Sequence, residues 1–371
     1  MNRLNAFLLL CDCVSPRNHS PEQVEILCKK LLSGGTALEH LAEAANQHYL
    51  CPALYGSLKH KNLLPCVPAD LRKYLQILYD HNGERNRRLM DHAEETTQYL
   101  NELGVEPVLL KGTANLLSGL YFDQSTRFIS DIDMLIPENR MADCIRKLKD
   151  ADYDYLLPPE SDCWKAHHHC PPLLKKKRYF RIELHHQLVP IRYQNLIDAD
   201  KVLSDSFLLA VGKARARLPS LSHRIIHNVT HAQLVDQSYF LGTIQLRQLY
   251  DLALLADKIQ EEEWQTIASL FRQFGHSSAL AGYLLAGKKY FDCSPLFEIP
   301  QTFGSRLYFA GICGQADNLL LMRLGNLSRL ALVYASRLKR LLSSHRFPKI
   351  WDHETRQNHY RQIRYILNRK W

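Results

Sequence analysis

Two short runs in the middle of the chain decide the fold: Val108-Leu109-Leu110-Lys111-Gly112-Thr113 and Asp131-Ile132-Asp133-Met134-Leu135. The first run predicts a strand over Val105–Leu110 that passes through Gly112 into a helix over Thr113–Leu120. Backbone N–H groups at the start of a helix can bind phosphate, and glycine lets an anion approach the backbone closely. Gly112 and the Thr113 hydroxyl are therefore candidate phosphate-binding groups, although a glycine between strand and helix is also a common turn.

The second run predicts a strand over Asp131–Ile136 that carries two carboxylates on one face. Side chains at positions i and i+2 of a strand point to the same side, so Asp131 and Asp133 would repel each other. Divalent cations would remove that penalty, because Mg²⁺ prefers carboxylate oxygens and substrate phosphates as ligands. The alternative is an exposed Asp-x-Asp pattern ahead of an ordinary strand.

A third acidic candidate lies in Arg181-Ile182-Glu183-Leu184-His185, within a predicted strand over Tyr179–Leu188. Alternation along this strand places Glu183 and His185 on one face and the apolar side chains on the other. On an adjacent strand, Glu183 would complete a three-carboxylate metal site with Asp131 and Asp133. The alternative is an exposed charge on a half-buried strand.

A phosphate-binding turn, a same-face Asp pair and a later strand carboxylate are together what metal-assisted nucleotidyl transfer requires. Over the motif-bearing part, Val105–Leu188, the chain resembles the bacterial uncharacterised nucleotidyltransferase family of the DNA-polymerase-β-like nucleotidyltransferase superfamily. The resemblance extends to Leu120-Tyr121, Arg127 and the run Leu246-Arg247-Gln248-Leu249-Tyr250-Asp251-Leu252-Ala253-Leu254.

The resemblance implies a metal-dependent enzyme that transfers a nucleoside monophosphate, expected to be AMP from ATP or the equivalent from another nucleoside triphosphate. The implied acceptor is a hydroxyl of a small molecule, a glycan or a protein. Asp131, Asp133 and Glu183 would hold two Mg²⁺ or Mn²⁺ ions, and Glu183 would also be able to accept the hydroxyl proton.

The resemblance also assigns the surrounding residues. Gly112 and Thr113 stand at the glycine motif of the superfamily and would hold the departing phosphates. Lys111 and Arg127 would neutralise phosphate charge, or alternatively form ion pairs that support the loop. His169 and His185 are candidates for lining the pocket.

Two other functions fit parts of the pattern. An Asp-x-Asp glycosyltransferase would bind a nucleotide-sugar diphosphate through Mn²⁺, but it leaves Lys111, Gly112, Thr113 and Glu183 without a necessary role. A non-catalytic nucleotide- or RNA-binding protein would use the basic end of the chain for affinity, but it does not need all three carboxylates.

The order of predicted elements indicates an α/β (α+β) fold with a small mixed sheet flanked by helices. Residues 1–84 predict a helical N-terminal region, and residues 85–200 predict the nucleotidyltransferase core. Residues 201–371 predict a helical C-terminal domain that ends in a basic amphipathic tail over 301–371.

The positive charge of the chain is concentrated in that tail. The chain has 371 residues and a formal net charge of +9, and residues 301–371 carry 13 lysines and arginines against three acidic residues. The rest is close to neutral. Six leucines and Tyr334, spaced three or four apart from Leu320 to Leu341, predict an amphipathic helix. This helix would dock by its apolar stripe or bind a polyanion, an anionic membrane or an acidic protein.

No apolar run is long enough for a membrane-spanning helix. The ten cysteines are scattered without a C-x-x-C pair, which predicts mostly buried, reduced thiols and a cytoplasmic protein.

Overall fold

The N-terminal part of the protein is helical, as predicted. The computed structural model describes residues 3–17, 20–34, 38–156, 167–176, 178–293 and 300–317. Its first five helices are α1 (Arg3–Val14), α2 (Pro21–Leu32), α3 (Leu38–Gln47), α4 (Cys51–His60) and α5 (Ala69–Asn101). Helix α5 has 33 residues and continues through position 84, so the predicted boundary after residue 84 lies within a single helix.

A mixed seven-stranded sheet forms the centre of the fold, which confirms the predicted α/β class. Its strands are β1 (Val108–Leu109), β2 (Asp131–Leu135), β3 (Tyr153–Tyr155), β4 (Leu173–Lys175), β5 (Arg181–His185), β6 (Phe207–Val211) and β7 (Ala214–Leu218). Helices α6 (Lys111–Leu117), α7 (Met141–Asp150) and α8 (Ala199–Ser204) connect them. The strand order is β3-β4-β5-β2-β1-β7-β6, with parallel pairing between β2 and β5 and between β1 and β7.

The hairpin β6–β7 corrects the prediction that the chain is helical after residue 200. Ala214-Arg-Ala-Arg-Leu218 alternates with period two. Its three buried side chains lie on one face of the strand and its two arginines lie on the other. The turn passes through Gly212 at φ +56°, where a Cβ would also collide with the Glu94 carboxylate. The alternation was a readable strand signal, and the hairpin extends the sheet beyond the predicted core.

The described C-terminal part consists of helices α9 to α14. These are α9 (Leu221–Val229), α10 (Ser238–Leu241), α11 (Leu246–Ala256), α12 (Glu261–Gln273), α13 (Ser277–Phe291) and α14 (Phe303–Asp317). Helix α9 continues as a π-helical segment over Thr230–Val235, a type of segment that often occurs at functional sites. Helix α14 covers the first part of the predicted basic tail, and residues 318–371, with the predicted amphipathic helix over Leu320–Leu341, lie outside the described residues.

Helix α5 holds the loop that precedes β2. The Asn82 amide donates to the carbonyl oxygens of Ser125 at 2.7 Å and Arg127 at 3.1 Å, and the Asn86 amide donates to the carbonyl oxygens of Gln124 at 2.7 Å and Arg127 at 2.8 Å. Buried side-chain amides therefore satisfy the carbonyls of a loop that has no sheet partners. This fixes the approach of the chain to Asp131.

Membrane-crossing helices are not found in the part of the chain that the structure describes, since every helix there is too short or too polar. Six of the nine cysteines in the described ranges are buried, in line with the expectation for small apolar side chains.

Lys61 is a buried ammonium group in the N-terminal region, and it makes stability depend on pH. Its Nζ donates to the carbonyl oxygens of Cys13 at 2.6 Å and Ser15 at 3.1 Å, and burial lowers its pKa to about 8. The unfolded chain has the ordinary lysine pKa of about 10.4, so it binds more protons than the folded protein between about pH 8 and 10.4.

We therefore expect the contribution of Lys61 to the free energy of unfolding to rise with pH across that window, by about 3 kcal/mol in total. The Lys61→Met variant is expected to lack this rise. Urea unfolding of both proteins from pH 7 to 10 measures the difference. Parallel pH profiles for the two proteins would contradict the assignment.

Candidate functional site

The parallel pairing of β2 with β5 brings an acidic cluster together at the centre of the sheet. Asp133 is paired directly with Glu183, and His185 lies two residues further along β5 on the same face. His185 Nε2 is 2.8 Å from Asp133 Oδ1 and 3.9 Å from Glu183 Oε2. Candidate ligand atoms of these three residues all lie within 4.8 Å of one another.

The protonation of the cluster reflects its burial. Burial alone would raise the pKa of Asp133. The Lys111 ammonium, whose Nζ is 2.7 Å from Asp133 Oδ1, and the hydrogen bond from His185 outweigh burial and hold the pKa of Asp133 well below its usual range. Burial and the neighbouring Asp133 raise the pKa of Glu183 to about 7. Burial lowers the pKa of His185 to about 4, so its imidazole is neutral near neutral pH.

Asp131, the other predicted metal ligand, lies outside this cluster. Its side chain is on the same face of β2 as Asp133 but approaches Arg181, with 3.6 Å between Oδ2 and the nearer guanidinium nitrogen. The Ser130 hydroxyl donates to Asp131 Oδ1 at 3.0 Å. Asp131 and Asp133 both line a cavity beside the cluster.

The predicted phosphate turn lies beside the same cavity. Lys111 and Gly112 line it, and Lys111 has a left-handed backbone with φ +49°, a strained conformation of the kind that concentrates at functional sites. The Thr113 hydroxyl is buried and donates to the carbonyl oxygen of Asp131 at 3.2 Å, so it joins α6 to β2. Thr113 does not line the cavity.

Arg127 is paired with a residue that the sequence analysis did not single out as its partner. Its Nε donates to Asp251 Oδ1 at 2.8 Å and its terminal nitrogen donates to Asp251 Oδ2 at 2.6 Å, and both side chains are buried. The Tyr121 hydroxyl donates to the same carboxylate at 2.8 Å. Arg127 therefore joins the sheet region to α11, and its charge is already balanced.

Behind the cluster lies a group of histidine rings. His169 forms an isolated β-bridge with His185, and the two ring centroids are 5.1 Å apart. His168 is 4.6 Å from His169 by the same measure, and burial lowers the pKa of His168 to about 3. The structure therefore brings His169 next to the cluster through His185.

Two arginines from the C-terminal helices line the cavity as well. Arg224 on α9 donates to Asn115 Oδ1 at 2.8 Å and to the Ser118 hydroxyl at 2.9 Å. Arg247 on α11 donates to the carbonyl oxygen of Phe128 at 3.4 Å. Burial lowers the pKa of each guanidinium to about 10, yet both remain charged near neutral pH. Among the described residues, neither is within ion-pair distance of a carboxylate.

Half-buried arginines without an acidic partner are suited to binding an anion, because the guanidinium keeps several donors in a fixed plane. The cavity thus has carboxylates at one end and unneutralised positive charge in its lining. His227 and His231 of α9 and its π-helical extension line it too.

The donor set of the cluster fits a divalent cation. The buried Asp133 faces the partly buried Glu183, whose pKa is raised by desolvation and by the Asp133 charge, and a cation between the two carboxylates would remove their repulsion. The neutral His185 adds a nitrogen donor, which suits Mn²⁺ and later transition metals better than Mg²⁺.

Sequence reasoning did not find Arg224, His227 and His231, or the partnership of Arg127 with Asp251. These three residues of α9 and its π-helical extension recur at intervals of three and four, which places them on one helix face. That spacing was available in the sequence, but the position of this face at the cavity that Asp131 and Asp133 also line was not.

Comparison with known proteins adds one match. The family model described as "Uncharacterised nucleotidyltransferase" matches residues 35–292, well over half of the chain. The matched range contains the acidic cluster and both cavity arginines. No curated protein is similar enough to match.

Proposed function

Because the chain belongs to the uncharacterised nucleotidyltransferase family, we propose that it transfers a nucleoside monophosphate from a nucleoside triphosphate to a hydroxyl group. Family membership makes it an enzyme of the nucleotidyltransferase class that uses a nucleotide and a divalent cation. ATP is the donor we expect, and the acceptor is a small molecule, a glycan or a protein.

The observation that carries this proposal is the composition of one cavity. Asp133, with Glu183 and His185 beside it, borders the same space as Arg224 and Arg247. A triphosphate carries charge that needs both a cation and fixed positive side chains. An Asp-x-Asp glycosyltransferase, the competing enzymatic interpretation, gives Glu183 no necessary role and does not follow from the family.

Asp133, Glu183 and His185 would hold the cation, Mg²⁺ or Mn²⁺. When bound, the cation would neutralise phosphate oxygens and make the attacking hydroxyl more acidic. A second ion, expected from the resemblance, would depend on Asp131, which borders the same cavity.

The protein's own side chains would supply the remaining steps. Arg224 and Arg247 would bind the phosphates that depart, with Lys111 and Gly112 nearby. The Glu183 carboxylate would accept the proton of the attacking hydroxyl. The acceptor oxygen would then bond to the α-phosphorus, and pyrophosphate would leave with the electron pair of the broken P–O bond.

The position of the transferred label tests the reaction class. With Mn²⁺ or Mg²⁺ and cell lysate as the acceptor source, ATP labelled at the α-phosphorus should label an acceptor, and ATP labelled at the γ-phosphorus should not. Labelling from the γ-position, or from a UDP-sugar alone, would contradict nucleotidyl transfer.

Replacing Arg224 by glutamine tests the phosphate-binding role. We expect the KM for the triphosphate to rise about 10–100-fold with a smaller change in kcat, because a charge-assisted hydrogen bond contributes about 1.5–3 kcal/mol. Steady-state kinetics at fixed metal concentration measure both constants. Arg146→Gln, which alters an exposed arginine of α7, is the control and should leave KM unchanged.

An unchanged KM for a folded Arg224→Gln protein would place the phosphates elsewhere. Thermal unfolding of the variant separates this result from a loss of folding, since Arg224 also bonds Asn115 and Ser118.

The basic tail over 301–371 is proposed to bind a polyanion, an anionic membrane or an acidic protein, and the cytoplasm remains the predicted location.

A further inference from the structure

A second pocket adjoins the main cavity on the side of the N-terminal helices. Its lining includes Tyr49, Pro52, Leu78, Asn82 and Arg85, together with Phe128. Phe128 also lines the main cavity, so the two spaces meet at this ring. The residues that follow Phe128 lead directly into β2 and Asp131.

Flat rings and guanidinium groups surround this pocket. The rings of Tyr49 and Phe128 are stacked, with centroids 5.3 Å apart and an interplanar angle of 14°. The Arg85 guanidinium lies 4.5 Å from the Phe128 centroid, and the Arg247 guanidinium lies 5.3 Å from the Tyr49 centroid. Tyr49 nevertheless remains 53% exposed. A planar group can therefore stack here beside fixed positive charge.

Asn82 adds an unsatisfied polar atom to the lining. Its amide nitrogen donates to the carbonyl oxygens of Ser125 and Arg127, which fixes the orientation of the amide. Its Oδ1 is buried and has no hydrogen-bond partner among the described residues. An acceptor left in this state is destabilising, and an N–H donor brought within hydrogen-bond distance would satisfy it.

We propose that this pocket, lined by Tyr49 and Phe128, binds the nucleobase of the nucleoside triphosphate. This inference rests on the proposed function. The base stacks on the exposed ring of Tyr49, and the phosphates extend past Phe128 into the main cavity toward Arg224. Nucleobases are planar and carry N–H donors, and a base stacks favourably on an aromatic side chain. An aliphatic acceptor would use neither the ring stack nor the guanidinium planes.

The proposal separates two parts of one ligand, so the test compares α,β-methylene ATP with inorganic tripolyphosphate. Calorimetric titration of each into the full chain with Mn²⁺ should show the methylene ATP binding at least tenfold more tightly. In Tyr49→Asn, its affinity should fall about tenfold while that of tripolyphosphate is unchanged. Asparagine suits this site because Tyr49 has φ +56°, a left-handed conformation that asparagine adopts readily.

Two matched variants complete the design. Tyr49→Phe keeps the ring and should bind the methylene ATP as the wild type does. Tyr179→Asn alters a tyrosine that is 79% exposed and lies outside this pocket, and it should change neither affinity.

Three results would overturn the inference. The wild type could bind both probes equally, Tyr49→Asn could weaken both or neither, or Tyr49→Phe could behave like Tyr49→Asn. If the wild type bound neither probe, the proposed function itself would fail. If Arg224→Gln lost tripolyphosphate binding, and Tyr49→Asn weakened the binding of α,β-methylene ATP alone, both proposals would be supported.

Discussion

Replacing Asp133 by asparagine is expected to lower nucleotidyl transfer about a thousandfold. Asp133 is the most buried carboxylate of the cluster, at 2% exposure, and it contacts both His185 and Lys111. Loss of its charge removes a cation ligand, and the cation stabilises the charge that develops in the transition state. A loss of about 4 kcal/mol of this stabilisation corresponds to a thousandfold lower rate. Transfer of label from the α-position of ATP measures the effect.

Two comparisons make this result specific. Asp131→Asn should cost less than Asp133→Asn, because Asp131 lies outside the cluster and approaches Arg181. Asp143→Asn changes an exposed carboxylate on α7 and should retain full activity. A reversed order, with Asp131 essential and Asp133 dispensable in a folded protein, would contradict the placement of the cation.

Asp251→Ala is expected to lower the free energy of unfolding by about 3–5 kcal/mol. The substitution leaves the buried Arg127 charge without a partner and removes the acceptor of the Tyr121 hydroxyl. In the wild type Asp251 holds the pKa of Arg127 above its ordinary value despite burial, and in the variant the guanidinium remains in the interior without that compensating charge. Denaturant unfolding monitored by circular dichroism gives the difference.

An exposed ion pair provides the control for Asp251. Asp257 pairs with Arg17 at 2.5 Å, and both side chains are 35% exposed. Asp257→Ala should cost less than about 1 kcal/mol, because water solvates the arginine that remains. If Asp251→Ala and Asp257→Ala lowered the free energy of unfolding equally, the buried Arg127–Asp251 pair would not be the stabilising contact between the sheet region and α11 that we describe.

The two strands that carry the acidic cluster, β2 and β5, were predictable because the alternation of their side chains is a local sequence signal. Alternation in Asp131-Ile132-Asp133 and in Glu183-Leu184-His185 determines which side chains share a face, and the structure keeps both faces. The register between the strands is not local. A shift of two residues would have set Asp131, instead of Asp133, opposite Glu183, so the sequence left the choice between them open.

The positions of the other residues that line the cavity depend on packing between elements that are distant in sequence. Arg224 and Arg247 belong to helices whose periodicity shows only that one face is buried, and not what that face meets. The partner of Arg127 illustrates the same limit. The sequence predicted that Arg127 would neutralise phosphate charge or form an ion pair that supports the loop, but it did not identify Asp251 as the partner. The hydrogen bonds from Asn82 and Asn86 hold the loop in the position where Arg127 meets Asp251.

The hairpin β6–β7 was missed for a different reason. Helical runs on both sides dominated the pattern, while the period-two signal of β7 spans only five residues. Its pairing with β1 at Val108 and Arg217 extends the sheet next to the strand that leads into Lys111.

Anomalous X-ray scattering from crystals soaked in Mn²⁺ tests the central claim most directly. The account predicts an anomalous peak within coordinating distance of Asp133, Glu183 and His185, and its loss in crystals of Asp133→Asn. The account would be contradicted if, at Mn²⁺ concentrations that support transfer, the wild type showed an anomalous peak elsewhere and none between these three side chains.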